Sequence, residues 1–304
     1  MCLLIALSGV VDGVPLMVAA NRDERYDRPA EVITVLRGAA PRILGGRDAV
    51  AGGTWLAVNS HGLVAGLTNQ PSAGGRDDTR RSRGELPLAF AAHADAATAV
   101  AEVCPRLDPS DYNPCWLLVG DRHALYSVGM TGGHRPVVRQ LPPGAYVLEN
   151  APLPDYSPKA RQVAAMVAAG IAAAGAGAGT AGAAGAAGAE AGAAGAAGAE
   201  EALAAVLRDH RPAAGRQEAD TGEQEPGPAG RAGRVHTIGR VRPAELSAAC
   251  VHTALYGTRS AMLVAVGDTG VPRVRVADGP PCQAPFQDVT ALWSVAVQGS
   301  TRAM

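Results

Sequence analysis

The chain has 304 residues, 47% of them hydrophobic but only 4% aromatic, so one large domain or two small ones with an aliphatic, alanine-rich core is expected. Lys and Arg total 27 against 28 Asp and Glu, a formal net charge of −1, which gives no electrostatic reason to expect nucleic acid or an anionic membrane as partner. The five cysteines (Cys2, Cys104, Cys115, Cys250, Cys282) form no CxxC pair, so neither a zinc site nor a disulfide framework is predicted and a cytoplasmic location is expected.

Cys2 stands behind Met1 at the head of an apolar run. Methionine is generally trimmed before a small side chain, which would leave Cys2 carrying a thiol and a free α-amine, with ordinary pKa values of about 8.5 and about 7.7–8.0. The amine can then serve as base for the thiol of the same residue. Residues 2–8 and 15–20 read as two strands of a hairpin, with Val11-Asp12-Gly13 as the turn. The start lacks a basic segment and its apolar stretch is broken by Asp12, so no signal peptide is expected.

Asn21-Arg22-Asp23-Glu24 follows the second strand directly. By default it is a solvated turn. If strand two pairs with strand one, however, Arg22 and Asp23 come near Cys2, where they could hold the amine and depress the thiol pKa. Gly45-Gly46-Arg47-Asp48 and Gly52-Gly53-Thr54-Trp55 read as turns needing positive φ and as close backbone approaches. No Gly-Lys-Ser/Thr follows them, so nucleotide binding is not supported.

Further strands are predicted at 54–58 and 63–67, a helix at 84–104, and strands at 116–119, 125–128 and 145–148. A helix opens at Ser157-Pro158. Residues 172–202 repeat Gly-Ala-Ala units, and since each Gly costs a helix about 1 kcal/mol relative to Ala, this stretch predicts at best a frayed helix. Residues 212–234 carry too little apolar surface to offset ordering entropy. About 172–234 is therefore expected to be a low-complexity or disordered insertion within a single domain spanning 1–304. The uncharged run 163–189 is mostly Ala and Gly, so no membrane span is expected. Strands return at 252–256, 261–266, 272–276 and 293–297. Strands at both ends with helices between them favour a sheet core covered by helices.

Asn69 and Asn150 stand at predicted strand ends and can supply amide donors to an oxyanion or orient an amide substrate. Arg259, between two predicted strands, is a further candidate. The seven histidines show no HExxH or close pairing and no GxSxG is present, so neither a metal site nor a serine hydrolase is predicted.

Taken together these motifs resemble the NRDE family, also called the transport and Golgi organisation 2 family. The likeness rests on Met1-Cys2, Ala19-Ala20-Asn21-Arg22-Asp23-Glu24 with Arg28-Pro29, Gly45-Gly46-Arg47-Asp48 and Gly52-Gly53-Thr54-Trp55-Leu56. It continues through Leu67-Thr68-Asn69, Ser82-Arg83-Gly84-Glu85-Leu86, Tyr112-Asn113 and Tyr256-Gly257-Thr258-Arg259, over about 1–165 and 236–297. That family is similar in turn to N-terminal nucleophile hydrolases, which implies an α+β fold, the four-layer αββα sandwich.

The resemblance implies Cys2 as nucleophile with its own amine as base, Asn69 and Asn150 at the oxyanion, and Arg259 as a supporting cation. The related hydrolases space their Arg and Asp as Arg-x-x-Asp, whereas Arg22 and Asp23 are adjacent. The implied activity is an amidohydrolase acting on linear amide C–N bonds of a small non-peptide amide or acyl compound, with no cofactor. The rival expectation is a non-enzymatic protein that binds or traffics haem or a lipid-like acyl molecule in the same cleft.

Overall fold

The computed structural model describes residues 2–72, 75–150, 153, 157–178, 186–213 and 246–295. Its first sheet contains β1 (Leu3–Val11), β2 (Val14–Arg25), β10 (Gly144–Leu148), β11 (Tyr256–Val266), β12 (Arg273–Asp278) and β13 (Gln287–Asp288), in the order β10-β1-β2-β11-β12-β13. The second runs in sequence order through β3 (Ala30–Arg37), β4 (Ile43–Asp48), β5 (Leu56–Asn59), β6 (Val64–Asn69), β7 (Cys115–Gly120), β8 (Leu125–Met130) and β9 (Val137–Leu141). Every pairing is antiparallel.

Period-2 alternation divides the buried side chains among three cores. Leu4, Ala6, Val18, Ala20, Met262 and Val264 of the first sheet meet Leu44, Leu56, Val58, Val64 and Leu118 of the second in the central layer. The alternate residues of the first sheet, among them Leu3, Ile5, Leu7, Met17, Ala19 and Leu263, face outward. They are covered by Val163 and Val167 of α3 (Pro158–Ala178) and by Leu203 and Leu207 of α4 (Ala186–Arg208). On the other side, Ala57, Ala65, Leu67, Leu117 and Val119 pack against α1 (Glu85–Ala91) and α2 (Ala96–Val103). Helix, sheet, sheet, helix: the fold is the α+β αββα sandwich expected from the sequence.

Several local expectations change. The single helix predicted over 84–104 is two, because Asp95 takes an extended conformation and caps α2 by accepting from the Thr98 N–H at 2.8 Å. The strand predicted at 252–256 starts only at Tyr256, since Thr253 folds back to bond the Tyr256 carbonyl. At the expected last strand, Trp293 ends a 3₁₀ turn, and 296–297 lie outside the described residues.

The Gly-Ala-Ala repeat is corrected most. Residues 186–208 form a helix, and Ala199, Leu203, Ala204, Val206 and Leu207 are buried. Small residues cost propensity but let the two helices close up. A Cβ placed on Gly170 would lie 2.8 Å from the Ala202 Cβ, and one on Gly198 would lie 3.0 Å from that of Ala174. Two fully buried leucines add about 1.5–3 kcal/mol each, which offsets the about 1 kcal/mol that each glycine of the helix removes. The 179–185 and 214–234 portions of the expected insertion lie outside the described residues.

Candidate active site

The second strand does not stop where the apolar residues stop. β2 runs through Arg25, so Asn21-Arg22-Asp23-Glu24 lies inside the strand and not in a turn after it. Its polar residues persist because β11 supplies the matching ladder: Thr258 pairs with Asp23 and Ser260 with Arg22, across a register shift between them. Alternation then sends consecutive side chains to opposite faces.

Asn21 points outward, where its amide donates to the carbonyls of Leu207 and Ala249, both at 2.9 Å, and so ties the C-terminal end of α4 to the sheet. Asp23 points the same way. Its Oδ1 accepts from the Thr258 hydroxyl at 2.6 Å, and its Oδ2 lies 3.8 Å from the ammonium of Lys159 at the start of α3. Lys159, the sole lysine of the sequence, is 4% exposed. Arg22 faces inward, 5% exposed, with its guanidinium 4.5 Å above the Trp55 ring. This cation–π contact suits a planar, weakly hydrated cation.

Cys2 precedes the Leu3–Asn21 pair by one residue, which makes Arg22 its cross-strand neighbour. The Asp23 backbone N–H is directed at the Cys2 sulfur. Burial pushes the Cys2 thiol up from its ordinary value, and the Asp23 carboxylate adds to that, while the Asp23 N–H and Arg22 pull it down. The net direction is upward, which corrects the expectation that Arg22 and Asp23 together depress the thiol pKa: the charges that pull it down are the chain's α-ammonium first and Arg22 after it, while the Asp23 carboxylate works against them. The Asp23 carboxyl is itself raised by burial, against the pull of Lys159 and the Thr258 hydroxyl.

Cys2, Arg22, Asp23 and Asn69 line one cavity of about 110 Å³, together with Trp55 and Arg83. Asn69 is the last residue of β6, held opposite Cys115 of β7. Asn150 is not among the lining residues. It follows Leu148 of β10 by two positions, as Cys2 precedes Leu4, the residue paired with Leu148, by two. Its side-chain oxygen is buried with no hydrogen-bond partner among the described residues. The Thr68 hydroxyl anchors the adjacent Glu149 carbonyl, so the segments that carry Asn69 and Asn150 are tied to one another. Arg259 is not in the cavity. Its guanidinium donates to the carbonyls of Arg25 at 2.9 Å and Tyr26 at 2.7 Å, and so stiffens the turn after β2.

The paired glycines shape this cavity through the close backbone approaches expected of them. Gly45 and Gly46 sit in strand β4, with no positive φ. A Cβ on Gly46 would lie 2.1 Å from the Trp55 ring, so glycine there makes room for the indole that carries Arg22. Gly52 does take a positive φ of 73°, and Gly53 lies so close to Gly84 that a Cβ would meet its backbone at 2.5 Å. The Thr54 N–H closes this contact on the Gly84 carbonyl at 2.9 Å. That contact delivers Arg83, the residue sequence reasoning missed, although its Ser-Arg-Gly-Glu-Leu motif was visible.

The cavity is lined by six arginines, of which Arg28, Arg76, Arg80 and Arg81 each have a carboxylate partner within 4.0 Å. Arg22 and Arg83 have none among the described residues. Burial weakens the hold of both guanidinia on their protons, and the Cys2 sulfur acts on both in the opposite sense. Glu24, which also lines the cavity, acts on both cations, but neither is ion-paired to it, so the two guanidinia beside the thiol can receive negative charge.

Residues 1–278 match the family model described as Transport and Golgi organisation 2. The Transport and Golgi organization protein 2 homolog of Bos taurus is 36% identical over 147 residues, covering 45% of this chain and 50% of that protein. The Homo sapiens homolog is 35% identical over the same coverage, so the chain spans about half the length of the curated relatives it matches. Among solved structures, the C2A mutant of conjugated bile acid hydrolase from Clostridium perfringens aligns at a TM-score of 0.36 and 15% identity, over 54% of this chain and 56% of that one. The Caenorhabditis elegans N-acylethanolamine-hydrolyzing acid amidase ortholog aligns at 0.38 and 12%, over 56% and 77%. At such scores the fold assignment rests on the four layers themselves. By the extent of the family match, the chain belongs to the transport and Golgi organisation 2 family.

Proposed function

We propose that the protein is a Cys-nucleophile amidohydrolase for a small acyl compound that carries an anionic group, a carboxylate or a phosphate. The reading is carried by one observation: Cys2 shares a small cavity with the buried Arg22 and the half-buried Arg83, two guanidinia without carboxylate partners among the described residues. After loss of Met1, the Cys2 amine takes the thiol proton as the sulfur attacks the carbonyl carbon. Asn69 ends β6 of the facing sheet and lines the cavity, and Asn150 follows β10, the strand paired with β1; in this reading their amides orient the substrate amide and its oxyanion. The amine then returns the proton to the departing nitrogen, and water releases the acyl group from sulfur.

The raised thiol makes this mechanism depend on that amine, since a neutral thiol is a weak nucleophile. The same observation favours a second reading should Met1 be retained: a binding or trafficking protein whose arginine-lined cavity holds an anionic haem propionate or acyl ligand without cleaving it. Intact mass of untagged protein separates the two. A mass short by one methionine, with turnover of acidic N-acyl compounds that Cys2→Ala abolishes while its unfolding curve stays that of the parent, supports the hydrolase. Retained Met1, or full turnover by Cys2→Ala, overturns it. Asn69→Ala is expected to lose about 10²–10³ in rate, the usual cost of one oxyanion donor.

A further inference from the structure

A second chemical cluster lies outside this cavity. Cys250 and His252 are separated by one residue before β11, and Cys282 follows β12 by four residues. Their spacing in the sequence carries no CxxC signature, but the fold brings them together: the sulfurs are 3.7 Å apart, and the His252 Nε2 lies 3.4 Å from Cys250 Sγ and 3.1 Å from Cys282 Sγ. All three ligand atoms fall within 4.8 Å of one another. None of the three residues lines the Cys2 cavity.

These separations can be compared with a coordination shell. Bonds of about 2.3 Å to sulfur and about 2.0–2.1 Å to imidazole nitrogen, set at tetrahedral angles, place two sulfurs about 3.8 Å apart and sulfur and nitrogen about 3.6 Å apart. The observed triangle is tighter than that by about 0.1, 0.2 and 0.5 Å, and a cation at its centre would need little movement of the backbone.

The backbone is also fixed. The Cys250 N–H donates to the Asp209 carbonyl at 2.8 Å, and the Val251 N–H to the Thr258 hydroxyl at 2.9 Å. The turn bearing Cys282 is closed by the N–H groups of Gln283 and Ala284 on the Pro280 carbonyl. The cluster is reachable from solvent, with Cys250 buried, Cys282 half-buried and His252 exposed. The His210 ring packs edge-on against His252, 6.2 Å between centroids, so a further imidazole stands beside the ligand ring.

We propose that Cys250, His252 and Cys282 form a binding site for Zn(II), two thiolates and one imidazole leaving a fourth position for a water or another small ligand. Two sulfurs and an imidazole favour zinc over the hard cations magnesium and calcium, which take oxygen ligands. On binding, each thiol gives up its proton to solvent and the Nε2 lone pair of neutral His252 completes the protein's share of the shell. The site joins the turn after β12 to the segment before β11. Through Val251 and Thr258 that segment reaches Asp23, whose backbone N–H is directed at Cys2.

The test uses the full, reduced chain titrated with Co(II) alone. Thiolate-to-cobalt charge transfer and tetrahedral d–d bands are expected to saturate at one Co(II) per chain and to vanish when Zn(II) is added. Cys282→Ser and His252→Gln, at partly exposed positions, should each weaken binding beyond the ~10–100-fold typical of losing an outer-shell contact, with metal-free melting unchanged. Cys2→Ser should keep the full spectrum. Octahedral bands only, a spectrum that survives Cys282→Ser, or a Cys250–Cys282 disulfide that persists in reductant would each overturn the assignment.

Discussion

A guanidinium with no carboxylate beside it needs another means of keeping its charge, and Arg22 keeps it by lying over the Trp55 ring within reach of the Cys2 sulfur. The balance at Cys2 is set by burial first and by charges second. Its alkylation by iodoacetamide is therefore expected to follow a pH profile displaced upward from that of an ordinary thiol. Arg22→Gln removes one of the cations that oppose burial, beside the α-ammonium, so the profile should move further up; an unchanged or lower profile would show that Arg22 does not act on the sulfur. At this scale the sequence was informative about residue type and silent about direction. Asn21 heads a motif that reads by default as a solvated turn and is a buried structural tie to α4, whereas Arg259 reads like a site cation and braces a turn. Neither orientation can be derived without the strand alternation and the partners across it.

Among the elements, the paired glycines of the second sheet decide how close the segments come. Gly52 and Gly53 are adjacent but differ in what they require. Replacing Gly52 by Ala meets nothing within 4 Å and strains only a positive φ, which costs about 1–2 kcal/mol. Gly53→Ala drives a Cβ into the Gly84 backbone and must move the entry to α1, with Arg83 next to it. We expect Gly53→Ala to lose more stability in urea than Gly52→Ala, and to lose ligand affinity as well; equal losses would mean that the contact is not what positions Arg83. Their sequence signal suggested turns and close approaches alike, and for Gly45 and Gly46 only the second holds, inside a strand. Periodicity could not expose this, because a glycine in a ladder and a glycine in a turn look the same until the partner strand is known.

For the whole molecule, the outer helix layer over the first sheet is where the sequence was least legible. Repeat composition made 172–202 look dispensable, since propensity counts glycine as a loss and cannot count a helix neighbour that fits only because glycine is there. The leucines after the repeat, Leu203 and Leu207, were the readable clue. Leu203 is fully buried, so Leu203→Ala is expected to cost about 2–5 kcal/mol by chemical denaturation, where a dispensable segment would cost almost nothing. The layers are also coupled by charge. Lys159→Met leaves the Asp23 carboxylate without its ammonium, a loss of about 3 kcal/mol at neutral pH. Burial already raises Asp23 above its unfolded value, so the folded variant takes up that proton more readily than the unfolded chain. Its stability is then best below the ordinary aspartate range and falls as pH rises through the raised value. The gap to the parent should widen with pH in melts from acid to neutral; a gap constant with pH would refute the coupling.

The stretch from Asn21 to Glu24 also bears on which changes of length the chain can survive. A substitution there alters one environment, but a one-residue deletion between Leu3 and Asn21 that the hairpin turn fails to absorb inverts them all. Asn21 would then face the solvent-filled cleft, and Arg22 would press its charge into the alanines and leucines beneath α4. Asp23 would confront Trp55, and Lys159 would face no carboxylate. Such a variant loses the site and the outer layer in one step. This part of the gene should therefore tolerate changes of letter far better than changes of phase, and a deletion scan across residues 9–20 would find survivors only at the turn, around Val11-Asp12-Gly13.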